Sequence, residues 1–171
     1  MKSSLALAAL LLLSAQKPPS ACKLLTPAEV GAAAGAKAGE GRENDIVVPA
    51  GPFKGQTMTI CTWRVGQGSV TITALHIPSA EKRQAGLAEM QKLDEVMKAQ
   101  GWTNEDRAFG GVKCSTYMPP ANMRAEETPI SVGCYGEAKG MTISAGANIA
   151  KTKVPMEKVK ALVDAAVKRL P

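Results

Sequence analysis

The stretch Thr57 to Ile77, TMTICTWRVGQGSVTITALHI, decides how this chain folds. Two runs rich in Thr, Ile and Val flank Gly66-Gln67-Gly68, the pattern of two antiparallel strands joined by a tight turn. In the second run Val70, Ile72, Ala74 and His76 share one face, and Thr71, Thr73, Leu75 and Ile77 the other. In the first run Met58 and Ile60 oppose Cys61, Trp63 and Val65. Apolar residues on both faces predict a sheet that is covered, at least in part, on both sides. The hairpin also concentrates the unusual chemistry of the chain, in Cys61, Trp63, Arg64 and His76.

Upstream, KLLTPAEVGAAAG (23–35) carries several agreeing helix signals. Thr26 is an N-cap, Pro27 fits the first helical position, and Glu29 completes a capping box. Leu25 can staple onto Val30, and Gly35 ends the helix. From Ala36 to Gly55 the chain is dense in Gly, Pro and charge, and reads as a long mobile loop with a brief strand at Ile46 to Val48.

Downstream, Ser79 caps a helix that runs to about Gln100, with Gly101 as its stop and Leu87, Met90, Leu93, Val96 and Met97 on one side. GWTNEDRAFGG (101–111) reads as a turn-rich link to a strand over Val112 to Met118. A strand containing Ile130, Val132 and Cys134 follows, then one from Met141 to Ile149. The last helix starts near Pro155; Val159, Leu162, Val163, Ala166, Val167 and Leu170 follow the i, i+3, i+4, i+7 pattern.

The four cysteines, 22, 61, 114 and 134, lack the close spacing of a zinc site and read as two disulfides. If Met118 pairs with Ile130, the register continues through Thr116 with Val132 to Cys114 with Cys134. That register puts both apolar sets on one side and the two sulfurs within bonding reach. Cys22 is left to join Cys61, tying the first helix to the hairpin. Each bond contributes roughly 3–4 kcal/mol in the loop-entropy treatment.

The expected fold is therefore α+β, with a mostly antiparallel sheet of about five strands, three helices and two disulfides, in the order α-β-β-α-β-β-β-α. TITA (71–74) recurs as TISA (142–145), each after a Cys-bearing strand and a Gly turn, which reads as an internal duplication.

The opening MKSSLALAALLLLSA, with one lysine, an apolar core and small residues, has the layout of a secretory signal peptide over residues 1–15, with 21 as an outer limit. Residues 22–171 then form one domain, exported to a periplasmic or extracellular space, where disulfides persist. Ala21 before Cys22 invites lipid attachment and membrane anchoring through Cys22. Against this, Pro19 stands where a Leu is required. The net charge of +6, which falls to +5 with the loss of Lys2, comes from scattered bases and gives no nucleic-acid footprint.

CKLLTPAEVGAAAG (22–35) and Cys61-Thr62-Trp63 resemble the opening and the Cys-x-Trp strand of a family of small exported bacterial proteins, many of them lipoproteins. The resemblance implies an α+β envelope domain. It brings no assigned activity and no catalytic residue.

No catalytic, cofactor or metal set emerges from the residues. His76 is the only histidine, no G-x-S-x-G elbow is present, and paired cysteines supply no thiolate. The adjacent acids Asp94/Glu95, Glu105/Asp106 and Glu126/Glu127 read as solvated. Trp63, Arg64, Trp102 and Tyr135 are the residue types that anchor binding surfaces. The expectation is a non-enzymatic envelope domain that binds an unidentified protein, envelope component or other ligand. A carboxylate-based envelope hydrolase, and an inhibitor or accessory of another exported protein, are the alternatives.

Overall fold

The structure, a computed structural model, describes residues 17–123, 130–149 and 153–171. The proposed signal peptide and the Glu126/Glu127 pair lie outside these residues.

The hairpin expected at the centre of the chain is there. Strands β2 (Thr57–Val65) and β3 (Gly68–His76) pair antiparallel from Met58 with Leu75 to Val65 with Gly68. Gly66 turns with φ 56°, a conformation a side chain would oppose. Gly68 is required for space: a Cβ there would stand 2.3 Å from the Asn148 carbonyl oxygen on the next strand.

Around this hairpin a single seven-stranded, fully antiparallel sheet is ordered β1-β2-β3-β7-β6-β5-β4. Its other strands are β1 (Arg42–Val47), β4 (Thr103–Phe109), β5 (Val112–Met118), β6 (Ile130–Ala138) and β7 (Met141–Ile149). Seven strands replace the expected five, and the order becomes α-β-β-β-α-β-β-β-β-α. Both additions are edges. β1 extends the brief strand expected at Ile46 to Val48 back to Arg42, into the stretch read as a mobile loop, and β4 lies within the stretch read as turns. Every residue of β1 and most of β4 face solvent, so neither has the apolar alternation that marks a half-buried strand. The TITA and TISA strands are immediate neighbours, with Ile72 opposite Ala145 and Ala74 opposite Ile143.

One face of the sheet carries the core. Trp63, Val65, Val70, Ile72, Val132, Ile143, Ala145 and Ala147 are buried on it. Helices α1 (Pro27–Ala34) and α3 (Met156–Lys168) cover this face together with a short 3-10 turn at Ala21–Lys23. In α1 the capping box forms as expected, with Gly35 left-handed at its end. The α3 stripe Val159, Leu162, Val163 and Ala166 is buried, and a Cβ on Gly136 would meet Val163 at 3.2 Å.

Both predicted disulfides are present: Cys22–Cys61, with Cα atoms 5.0 Å apart, and Cys114–Cys134, at 4.0 Å. Cys114 and Cys134 stand directly opposite each other in the ladder, in the register that the apolar pattern dictates. Arg169 closes the ends of the chain. It donates to Glu29 at 2.8 and 2.7 Å and to the Leu24 carbonyl at 2.8 Å.

Candidate functional site

The opposite face of the sheet is built differently. Cross-strand partners share a face, so Thr62, Thr71, Gly146, Gly133, Ser115 and Asp106 form one line across it. Asn44, Ile60, Thr73, Ser144, Tyr135, Lys113 and Ala108 form the next. The floor is thus mostly hydroxyls and glycines. Thr62 and Thr71 are linked at 3.3 Å, and the Thr73 and Ser144 hydroxyls also bond. At the centre Gly133 faces Gly146. A Cβ at Gly133 would meet nothing within 4 Å, and one at Gly146 only the Val132 carbonyl oxygen at 3.9 Å.

Helix α2 (Ala80–Ala99) lies on this side but buries none of its residues. It is fastened at points. The Phe53 ring stands where a Cβ on Gly86 would be, Arg83 pairs with Glu137 at 2.7 Å, and Asp94 reaches strands β4 and β5. The expected apolar stripe is split by the helical period. Leu87, Met90, Gln91 and Asp94 border the groove, with Met90 at its open rim and 51% exposed, whereas Leu93 and Val96 turn outward and are 60% and 53% exposed. An inner line with Gln91 and Asp94 cannot close down on a polar floor as a greasy stripe closes on a core. A groove of about 340 Å³ remains between them.

Asp94 organises the groove. Its Oδ1 accepts from the Tyr117 hydroxyl at 3.0 Å and its Oδ2 from Asn104 Nδ2 at 3.1 Å. The same Asn104 nitrogen donates to Asp106 Oδ2 at 3.0 Å, so two carboxylates converge on one amide. Lys98 approaches Asp94 at 3.4 Å. Burial, and then the hydrogen bond to Asp94, push the Tyr117 phenol above its ordinary value, so it stays protonated and acts as a donor. Arg107 and Lys113 also line the wall, but the Arg107 guanidinium is turned to Glu157 at 2.7 Å and Glu105 at 3.6 Å. Tyr135 and Met90 supply apolar surface.

Of the four residues expected to form a binding surface, Tyr135 alone lines the groove. Trp63 is 1% exposed and belongs to the core, packed beside Gly41; it is not available to a partner. Arg64 is exposed and lies on the same sheet face as Tyr135, but on β2, beyond β3 and β7. Trp102 is partly exposed just before β4. His76 ends β3 on the opposite, core face, opposite Met141. All four cysteines are in disulfides. Among the described residues no group of three or more His, Cys, Asp or Glu is placed to hold a metal ion. Asp94 and Asp106, expected as solvated halves of adjacent acid pairs, instead converge from α2 and β4 on Asn104, and neither Asn104 nor Tyr117 stands out in the sequence. The available signal was Asp94 itself, an acid on the inward line of a helix.

Fold and groove define an α+β domain: one antiparallel sheet, helices packed on one face, a helix standing off the other, and two disulfides. The extracellular domain of PknH from Mycobacterium tuberculosis has a similar fold, with a TM-score of 0.56 at 12% identity, covering 90% of this chain and 97% of that one. No family profile and no curated protein matches the chain. Among the described residues no helix is long and apolar enough to cross a membrane.

Proposed function

We propose that this chain is an exported, disulfide-stabilised binding domain that takes a small polar ligand of little net charge in the groove between α2 and the open sheet face. One observation carries the reading: α2 buries none of its residues and is tied to the sheet only at points, by Arg83 to Glu137 and by Asp94 to Asn104 and Tyr117, leaving a lined space beneath it. Asp94 and Asp106 face Lys98 and Lys113, while Arg107 is neutralised by Glu105 and Glu157, and this near balance disfavours a highly charged ligand. The carboxylates, the lysine and the floor hydroxyls offer hydrogen bonds to a ligand rich in donors and acceptors, with Tyr135 and Met90 against its apolar edge.

Export is supported by the two disulfides, which persist in oxidising compartments, and by the fold shared with a domain named as extracellular. The signal-like first 15 residues and the resemblance to small exported proteins agree with it.

The test is native mass spectrometry of the folded domain after incubation with a small-molecule extract of the cell envelope. A bound species is expected on the wild type and not on Ser115→Phe, which fills the groove from β5 while leaving the core face untouched. Equal binding to both proteins, or none to either, refutes the groove as the site.

The outward residues Leu93 and Val96 of α2 favour a second reading, an accessory protein that meets its partner through that helix. It predicts that charge placed at Leu93 abolishes association and that Ser115→Phe does not.

A further inference from the structure

We infer that the Cys22 sulfur is reserved for the fold and not for a lipid, and that the mature chain begins at Gln16 or Lys17. This is independent of what the groove holds. In the sequence, Ala21-Cys22 poses as a lipid-attachment site. A lipid thioether and a disulfide need the same Sγ, and that atom is bonded to Cys61. Forming this bond takes two electrons and two protons from the Cys22 and Cys61 thiols, which pass to a disulfide donor of the export compartment. Cys61 is fully buried, so a lipid on Cys22 would leave its thiol without a partner inside the core.

Lipid attachment also demands cleavage immediately before Cys22, and the five residues this would discard are part of the domain. Lys17 pairs with Asp45 at 2.5 Å. Pro18 is buried. The Pro19 carbonyl accepts from Thr59 Oγ1 at 2.9 Å, and Thr59 is wholly buried, so its hydroxyl would lose that acceptor. Ser20 Oγ bonds Glu43 Oε2 at 2.5 Å, and Ala21 has no exposed surface. Cys22 itself donates a backbone N–H to the same Glu43 oxygen at 2.9 Å. These donors hold the Glu43 carboxyl below the usual carboxylate range, so a charged acceptor on β1 is fitted to a continuous chain through residues 20–22. A short lead of this kind, built into the sheet's first edge, is covering the core, and a cut within it opens the core. Cleavage after Ala15, or one residue later, leaves all of it intact.

The experiment is secretion of the full chain from an exporting host that has both lipoprotein and general signal peptidases. N-terminal sequencing, intact mass and detergent phase partition are read together, with Cys22→Ser alongside. The expected protein starts at Gln16 or Lys17, partitions to the aqueous phase, and is four hydrogens lighter than the fully reduced chain, as two disulfides require. Cys22→Ser is expected to be cut at the same bond. A lipid-modified N-terminal Cys22, or detergent-phase protein that Cys22→Ser releases to water, overturns the inference. An N terminus at Met1 overturns its processing half. Should Cys22→Ser fail to fold, the wild-type terminus and mass still decide.

Discussion

Replacing Glu29 by Gln tests how far one charge holds the two ends of this chain together. Glu29 is the N3 residue of α1 and also the acceptor of a two-pronged bond from Arg169, one residue beyond α3. The Arg169 guanidinium, helped by the Thr26 amide and hydroxyl, holds the Glu29 carboxyl at about 2 against an ordinary 4.5. Taken at face value this difference corresponds to about 3 kcal/mol. The side chains of Arg169 and Glu29 are 40% and 33% exposed, however, and solvent screening of a half-exposed pair reduces the expected contribution to about 1 kcal/mol. A lowered carboxyl stabilises the fold above the unfolded value near 4.5, and its contribution fades as pH falls through the range down to about 2.

Gln keeps one side-chain carbonyl for the Thr26 amide, so the capping bond survives, while the charge and one of the two oxygens that accept from Arg169 are lost. Urea denaturation at pH 7 should therefore place Glu29→Gln about 1 kcal/mol below the wild type. The gap should narrow as both proteins are taken from pH 5 towards pH 2, and shrink in high salt. A gap that does not change with pH would mean that shape or packing, not charge, sets the cost. No gap at all would mean that Arg169 is anchored by the Leu24 carbonyl alone.

Two more substitutions address the core. Thr116 is wholly buried on the core face and its hydroxyl has no hydrogen-bond partner, so Thr116→Val should raise stability by about 1 kcal/mol in chemical denaturation; a loss of stability would show that the hydroxyl is satisfied. Gly41 leaves room for the Cys61 sulfur and the Trp63 indole, which would stand 2.6 and 2.7 Å from a Cβ at that position. Gly41→Ala should cost about 1–3 kcal/mol and shift Trp63 fluorescence, and a neutral result would show that β1 yields freely there.

The parts of the fold that were legible in the sequence are those where burial writes a pattern. The capping box of Thr26 and Glu29, the α3 stripe and the alternation of β5 and β6 each locate an element, and the last also pairs Cys114 with Cys134. Strand β4 and all of β1 before its apolar end at Ile46 and Val47 escape the same reasoning because an edge strand can satisfy its ladder without burying side chains. Arg42-Glu43-Asn44-Asp45 and Asn104-Glu105-Asp106-Arg107 therefore read as loop. The groove was hidden for a related reason. Its residues come from α2, β4, β5 and β6, and strand β4, which carries Asn104 and Asp106, was the one not expected. Trp63 misled in the other direction: a Trp in a chain with 4% aromatics is as useful for filling an Ala-rich interior as for meeting a partner, and here it fills.

The position of the disulfides in the strand order has a consequence for how the molecule comes together and comes apart. Cys22–Cys61 staples the part of the chain that ends with β3, and Cys114–Cys134 staples the part that begins with β4. Between β3 and β7 the sheet is joined without a disulfide, by backbone hydrogen bonds and the Thr73–Ser144 hydroxyl pair, reinforced by α1 against α3 and by Arg169 on Glu29. All other neighbouring strands are consecutive in the chain and can form as local hairpins, whereas this seam brings Gly68 to Ile149. Its closure is the step with the longest loop and hence the slow one. It also divides the oxidised chain into two internally crosslinked lobes with no covalent bridge across their junction other than the main chain through α2. A single protease cut in that helix should yield a nicked dimer of fragments that stays assembled in native buffer and separates in denaturant without any reductant.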